Sequence, residues 1–191
     1  MQKVLTQSAL MLLLMTIVTG VVYPLFVTII AQTLFPHQAN GSLIKNEKGE
    51  VVGSELIGQQ FSDAKYFSSR PSATSPYPYN AAASGGSNLG PTNTDLSKQI
   101  VERIRIQKSY PGTSQARVPI DLVTASASGL DPHISTESAL YQAEKVAVAR
   151  SVSKATVLNL IDQSVEPRQF QILGEPKVNV LKLNLLLDRQ K

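Results

Sequence analysis

Residues 8–35 form one long apolar stretch, SALMLLLMTIVTGVVYPLFVTIIAQTLF. No Lys, Arg, Asp or Glu lies between Lys3 and Lys45. A helix needs roughly 20 apolar residues to cross the hydrocarbon core of a bilayer, and the core helix of a soluble protein seldom runs this far without a charge. The stretch therefore predicts an N-terminal tip and transmembrane helix over residues 1–35, which leaves residues 36–191 for a second domain.

A cleaved signal peptide is the alternative interpretation of the same stretch. Its apolar region would be about half as long and would be followed by a cleavage site with small residues at the −1 and −3 positions. Ala31 is small, but the residue two positions before it is Ile29. The pattern therefore favours an uncleaved anchor.

The charges on either side of the helix predict its orientation. The N-terminal side carries Lys3 and the α-amino group, whereas the far side has mixed charges in Lys45, Glu47, Lys48 and Glu50. Cytoplasmic flanks of membrane helices are richer in Lys and Arg. We therefore expect a single-pass protein of the cell (inner) membrane, with a cytoplasmic N-terminus and an extracytoplasmic domain on the periplasmic side.

Small, hydroxylated and other non-aliphatic residues recur along this helix at spacings of three and four, which places them on one side. Such a stripe lets a second transmembrane helix approach closely and accept hydrogen bonds from side chains. A simple tether is the alternative, although a tether has no need of a proline. The predicted packing residues are Thr16, Thr19, Gly20, Tyr23, Pro24 and Thr28.

Composition excludes several classes of site. The chain has no cysteine, so it has no disulfide, no thiolate metal ligand and no cysteine nucleophile. Its only histidines are His37 and His133, too few for a histidine metal site. Without Lys3, 17 basic residues stand against 14 acidic ones, a balance too weak and too mixed for nucleic-acid binding.

The residues after the anchor predict one small α+β domain, because helical and alternating patterns follow each other without an internal repeat. Residues 61–93 are rich in Ser, Pro, Gly and Asn and predict a long irregular segment that its aromatic residues hold in order. The predicted elements are a hairpin from 43–44 and 51–52 with a turn at Lys48-Gly49, helices over 94–108 and 154–163, a helix to Arg150 that begins at Asp131-Pro132 or at Ser135, and strands over 118–125 and 178–188.

The glycine-rich run SGGSNLG, residues 84–90, raises the question of a phosphate-binding loop. A P-loop places Lys directly after its last glycine, but Pro91 follows Gly90. A dinucleotide-binding turn needs a buried strand before it, and residues 76–83 do not have that pattern. We therefore interpret Gly85 and Gly86 as residues that turn the chain.

A serine hydrolase built from Ser126 or Ser128 with Asp131 and His133 is an alternative function. The residue types fit, but the members of a catalytic triad usually come from separate segments, so that each side chain faces the next. Here all of them lie within eight residues around a proline. A turn and a helix cap, with His133 fixing the first helical turn, explain them more simply.

Several blocks of this sequence occur together and in the same order in a known family. The chain resembles the C subunit of the bacterial Kdp-type potassium-transporting ATPase, and the resemblance covers nearly its whole length. The blocks are TGVVYPL in the anchor, KYFSSRPSA at 65–73, SGGSNLGPTN at 84–93, DLVTASASGLDPHIS at 121–135, QAEKVAVAR at 142–150 and GEPKVNVLKLNLLLD at 174–188.

The resemblance implies a non-catalytic subunit of an ATP-driven, high-affinity potassium importer. Its expected partners are the channel-like subunit that carries the ion and the P-type ATPase subunit. The resemblance implies one of two roles for this chain. It either stabilises the channel-like subunit or acts as a catalytic chaperone that raises the affinity of the ATPase subunit for ATP. The weak candidates for a transient ATP contact are Ser84, Gly85, Gly86, Ser87 and Asn88; no firmly bound cofactor or metal is expected.

Overall fold

The apolar stretch is a single helix from Gln2 to Leu34 in the computed structural model, which describes residues 1–46, 48–113, 115 and 117–190. The helix consists of α1 (Gln2–Ile17), a π-helical segment (Val18–Val22) and α2 (Tyr23–Leu34). At 1.5 Å per residue it is about 50 Å long, more than the roughly 30 Å of a bilayer's hydrocarbon core. The predicted long apolar helix is confirmed.

The chain divides into two compact units, Met1–Leu43 and Ile44–Lys191. After the long helix come the short helix α3 (Pro36–Ala39) and a hairpin of β1 (Leu43–Lys45) and β2 (Val51–Ser54). Gly49 lies in the hairpin turn at φ +79, and its N–H donates to the carbonyl of Asn46. The predicted hairpin and its turn are confirmed.

Residues 61–93 contain no strand or α-helix, as predicted, and only one 3₁₀ turn, Ala81–Ala83. They are nevertheless held in place, since Phe67 is completely buried in the core. The next element, α4 (Thr94–Lys108), has the predicted bounds, and Asn93 caps it by accepting a hydrogen bond from the N–H of Asp95.

The centre of the domain is a three-stranded antiparallel sheet in the order β3-β5-β4, formed by β3 (His133–Ser135), β4 (Val165–Glu166) and β5 (Lys177–Asn179). Val178 is the central residue, because it pairs with Ile134 on one side and Val165 on the other. Three helices accompany the sheet: α5 (Thr136–Arg150), α6 (Lys154–Ser164) and α7 (Val180–Arg189).

The core lies between these helices and the sheet, because α5 packs against α6 and α6 packs against α7. Small residues on α5 allow the close approach of its neighbours. The buried apolar residues of this cluster are Phe67, Ile134, Ala139, Ala143, Val146, Ala147, Val157, Leu160, Ile161, Val178, Val180, Leu183 and Leu187. The predicted α+β class is confirmed.

The predicted strand over 118–125 is wrong. The chain forms a 3₁₀ turn there, Ile120–Leu122, and the carbonyl of Ile120 accepts hydrogen bonds from the N–H groups of Val123 and Thr124. The alternation fails physically, since Ile120 is 74% exposed while Leu122 and Val123 are both buried. The turn also brings Asp121 to the start of α5, where its carboxylate accepts the N–H of Ser135 at 2.7 Å.

The predicted strand over 178–188 is also wrong, except for its first residues. The extended chain ends at Asn179, whose side chain caps α7 by accepting the N–H of Lys182 at 3.1 Å. The helix buries Val180, Leu183 and Leu187, which follow helical spacing. Alternating leucines fit a strand equally well over a short stretch, and the cap decides between the two.

The helix before Arg150 begins at the second of the two predicted positions. Ser135 is its cap, and its Oγ accepts the N–H of Ser138 at 3.0 Å. Asp131 and Pro132 precede a short strand instead. The helix predicted over 154–163 is confirmed with one residue more, Lys154–Ser164.

Candidate functional site

Two loops that are distant in the sequence lie side by side in the second compact unit of the chain. Residues 84–88 contact residues 126–129, and we call these two segments the paired loops. The N–H of Gly85 donates to the carbonyl of Ser128 at 2.8 Å, and the Oγ of Ser84 donates to the same carbonyl at 3.1 Å. The run SGGSNLG and the run SASG thus form one surface feature.

The glycines of the paired loops permit close approach of two backbones. A Cβ on Gly86 would lie 3.0 Å from the carbonyl oxygen of Ala127, and one on Gly129 would lie 2.7 Å from the carbonyl oxygen of Gly85. Gly129 is also left-handed, at φ +68. The predicted turn at Gly85 and Gly86 is not found, because the chain forms no turn at either residue. The residue of that loop with a left-handed backbone is Asn88, at φ 52.

Residues 70–79 support the paired loops from a third segment. The Oγ of Ser72 donates to the carbonyl of Gly129 at 2.7 Å, and the guanidinium of Arg70 donates to the carboxylate of Asp131 at 3.1 Å. The hydroxyl of Tyr79 donates to the carbonyl of Arg70. The three segments therefore form one hydrogen-bonded unit.

Two pKa shifts follow from this arrangement. Burial raises the pKa of Tyr79 to about 12, so its hydroxyl stays a hydrogen-bond donor at all physiological pH. Burial opposes ionisation of Asp131, but the nearby His133 imidazole, the hydrogen bond from the backbone N–H of His133 and the charge of Arg70 outweigh it and lower the pKa of the carboxyl group. The Arg70–Asp131 ion pair thus persists at mildly acidic pH.

The hydrolase residues have separate structural partners. The Oγ of Ser126 accepts the N–H of Gly129 at 2.9 Å, and the Oγ of Ser128 accepts the N–H of Leu130 at 3.1 Å. Both serines therefore stabilise the tight turn that carries Gly129, as the simpler interpretation predicts. Neither has a hydrogen bond to a histidine in the described part of the chain.

His133 lies in strand β3 between two acidic side chains, and not in the first turn of a helix as predicted. Its Nδ1 is 3.8 Å from Asp131 and its Nε2 is 3.6 Å from Glu166. It borders an open cleft of about 510 Å³ that Arg70 and Lys177 also line. Among residues 1–46, 48–113, 115 and 117–190, no group of three acidic or histidine side chains is placed to hold a metal ion.

The glycine run is poorly suited to hold a phosphate. A phosphate-binding loop directs free backbone N–H groups at the anion. Here the N–H of Gly85 and the hydroxyl of Ser84 already donate to Ser128. No helix begins within residues 84–88, so no helix dipole adds to the loop.

In the long helix, the π-helical segment ends at Val22, two residues before Pro24. Proline has no N–H and its ring displaces the carbonyl four residues earlier, so the regular ladder is broken there. The N–H of Tyr23 bonds the carbonyl of Val18, five residues back. The hydroxyls of Thr16 and Thr19 donate to carbonyls four residues back, each at 2.7 Å.

The π-helical segment changes which residues share a face. On a regular helix a four-residue step drifts by about 40°, so Thr16 and Thr28 would stand about 120° apart. The π-helical segment winds less tightly than an α-helix, which reduces this drift and brings Thr16, Gly20, Pro24 and Thr28 closer to one line. A Cβ on Gly20 would meet nothing within 4 Å.

The family model for the K⁺-transporting ATPase, c chain (KdpC), matches residues 5–189. The match covers nearly all of the long helix, the paired loops and the sheet. This chain belongs to the KdpC family. The resemblance that the sequence blocks indicate is therefore confirmed.

Curated relatives agree over nearly the full length. The potassium-transporting ATPase KdpC subunit of Methylococcus capsulatus is 57% identical over 181 residues, which cover 95% of each chain. The KdpC subunits of Polynucleobacter asymbioticus and Dechloromonas aromatica are 52% and 53% identical over 188 residues, which cover 98% of this chain and 99% and 98% of theirs. The chain is thus a subunit of a potassium-transporting ATPase complex, with one N-terminal apolar helix as its candidate membrane span.

Sequence reasoning missed the polar side chains that hold the irregular segment in the core. The side chain of Asn184 accepts the N–H of Phe67 at 2.9 Å and donates to its carbonyl at 3.0 Å. Gln142 does the same for Ser68, accepting at 2.8 Å and donating at 3.1 Å. Both side chains are buried on helices, and an amide among apolar helical positions is the signal that indicates such a role.

Proposed function

We propose that this chain is a non-catalytic subunit of an ATP-driven, high-affinity potassium importer, and that it assembles with a channel-like subunit and a P-type ATPase subunit. This proposal rests mainly on the family match over residues 5–189. The separate structural partners of Ser126 and His133 support a non-catalytic role.

The test of this proposal is co-purification beside activity. We expect the affinity-tagged chain to recover the two larger subunits in stoichiometric amount and to show no esterase or peptidase turnover alone. Turnover by the isolated chain that Ser126→Ala or His133→Ala abolishes would instead support the hydrolase alternative. Failure to recover either larger subunit would refute the assembly role.

We propose that the N-terminus is cytoplasmic and that residues 36–191 are extracytoplasmic, at the inner membrane. The supporting feature is the placement of Lys3 before an uncharged stretch. Because the chain has no cysteine, single cysteines report single sites. Gln163→Cys, on an exposed face of α6, should react with an impermeant thiol reagent in intact cells, whereas Gln2→Cys should react only after lysis. The opposite labelling pattern would reverse the topology.

We propose that Thr16, Thr19, Gly20, Tyr23, Pro24 and Thr28 pack against a transmembrane helix of the complex. The alignment of Thr16, Gly20, Pro24 and Thr28 by the π-helical segment supports this role. Thr16→Leu with Gly20→Leu adds bulk on that line but keeps the helix apolar, so insertion is unaffected.

The measurements are detergent co-purification and growth on limiting potassium. Each lost helix–helix contact costs only about 1 kcal/mol, which is why two residues are changed together. Val18→Leu with Val22→Leu, which adds bulk on the other side of the helix, is the matched control and should leave both measurements unchanged. If an unrelated anchor replaces the whole helix without loss in either, the helix is a tether.

We propose that any effect of this chain on the ATP affinity of the ATPase subunit acts indirectly, through the assembled complex. This proposal is supported by the hydroxyl of Ser84 and the N–H of Gly85, because both already donate to the carbonyl of Ser128. The purified chain alone should show no saturable ATP binding by equilibrium dialysis. Saturable binding that Gly86→Leu abolishes would instead place the nucleotide at residues 84–88.

A further inference from the structure

The connection between β4 and β5 is an exposed hairpin. Every residue from 167 to 177 is exposed. The end of the hairpin carries three large apolar side chains, Phe170, Ile172 and Leu173, which are 87%, 76% and 58% exposed. Apolar side chains of this size usually contribute to a core. We call residues 169–173 the hairpin tip.

The hairpin tip has a defined backbone conformation. Gln169 and Leu173 exchange N–H···O bonds at 3.0 and 2.9 Å, and the N–H of Gln171 donates to the carbonyl of Arg168 at 3.1 Å. The two strands at its base, β4 and β5, belong to the central sheet. The apolar side chains are therefore presented on a braced hairpin.

Phe170 and Gln171 are both left-handed, at φ 52 and φ 63. Turns of this kind normally use Asn and Gly, because other residues clash between Cβ and the following carbonyl. Strained non-glycine residues concentrate where function requires a particular presentation of a side chain. The conformation and the exposure of Phe170 thus point independently to a contact made by this tip.

Charge and area distinguish the possible occupants. Arg168 pairs with Glu175, and Lys177 lies 3.7 Å from Glu166, so the hairpin has no net positive charge to attract an anionic lipid surface. The three apolar side chains offer on the order of 300–400 Å², whereas each partner in a standard interface contributes about 800 Å². The hairpin tip alone is too small to hold two copies of the chain together.

From these observations we infer that the hairpin tip is a docking anchor, and that Phe170 enters an apolar pocket on the extracytoplasmic surface of another subunit of the transport complex. This inference rests on the proposed subunit function. A small apolar anchor with a fixed shape is typical of the aromatic hot spots that dominate protein interfaces. Under the proposed function the transmembrane helix also contacts the complex, so the hairpin tip need not supply a whole interface.

The experiment uses the full chain co-expressed with the other subunits. Phe170→Ser with Ile172→Ser removes the apolar tip, and Gln171→Gly is the matched control, because it relieves the left-handed strain and leaves the apolar side chains in place. We expect the double variant to associate about tenfold or more weakly, and the control to associate as the wild type does.

The outcomes separate the inference from the proposed function. If the wild type recovers the other subunits and the double variant recovers them equally well, the docking anchor is wrong and the subunit role stands. If the wild type recovers none, the subunit role fails.

A photoactivatable phenylalanine analogue at position 170 of the purified complex gives a second readout, independent of affinity. An adduct with another subunit supports the inference, whereas an adduct with lipid alone, an adduct with a second copy, or no adduct overturns it.

Discussion

Lys145 is a buried cation on α5, and its replacement by methionine should remove a gain in stability that the wild type shows as the pH rises from 7 to 10. The side chain is 2% exposed. Its Nζ donates to Ser68 at 3.2 Å and to Gln142 at 3.0 Å, and it lies 4.9 Å from the ring centroid of Tyr110. No carboxylate lies within 4 Å of it among the residues that the structure describes.

The direction of the pH effect follows from desolvation. Burial lowers the pKa of Lys145 from 10.5 to about 8 in the folded protein. Between these two values the unfolded chain binds more protons than the folded chain, so the free energy of unfolding contributed by this group rises with pH. The corresponding change between pH 7 and pH 10 is about 2–3 kcal/mol.

At neutral pH the two effects of Lys145→Met oppose each other. Removing a buried charge relieves about 3 kcal/mol, whereas the loss of two hydrogen bonds costs about 1 kcal/mol each, so the variant should be as stable as the wild type or slightly more stable. Near pH 10 most of the gain from removing the buried charge has vanished, because Lys145 is already neutral in the folded wild type. The variant should then be less stable than the wild type.

The assay is urea unfolding of the full chain in detergent, followed by tyrosine fluorescence at a series of pH values. Lys154→Met is the control, because the side chain of Lys154 is 55% exposed. The quantity to compare is the difference in unfolding free energy between variant and wild type. A difference that stays constant from pH 7 to pH 10 would refute the desolvation argument.

Two further substitutions test the packing of the irregular segments. Asn184→Leu leaves the N–H and carbonyl of Phe67 unpaired in the core and should lower the unfolding free energy by about 2–4 kcal/mol, measured by the same assay, whereas an exposed change such as Gln163→Leu should have little effect. Gly129→Ala places a Cβ 2.5 Å from the side chain of Thr74, in a residue with a left-handed backbone, and should lower the free energy of unfolding by at least about 1–2 kcal/mol, measured by thermal unfolding. Gly90→Ala is the control, because a Cβ there would have nothing within 4 Å, and it should lower stability much less. Equal losses of stability in the two variants would contradict the close packing of the paired loops.

Local sequence patterns were sufficient for the elements whose stabilising contacts lie close by in the chain. The apolar stretch without charges determines a long helix, the pair Lys48-Gly49 determines a hairpin turn, and α4 and α6 follow from the spacing of their apolar residues. Each of these depends on residues within a few positions of one another. For the same reason the order of the sequence blocks was enough to indicate the family.

Distant contacts decided the rest. The stretch 118–125 became a turn because Asp121 reaches the start of α5, and the stretch after Asn179 became a helix that packs Leu183 and Leu187 into the core. The contact between the two glycine-containing loops joins segments more than forty residues apart in the sequence. Such contacts leave no mark in local periodicity, since they stabilise a conformation only once both segments have been brought together by the tertiary fold.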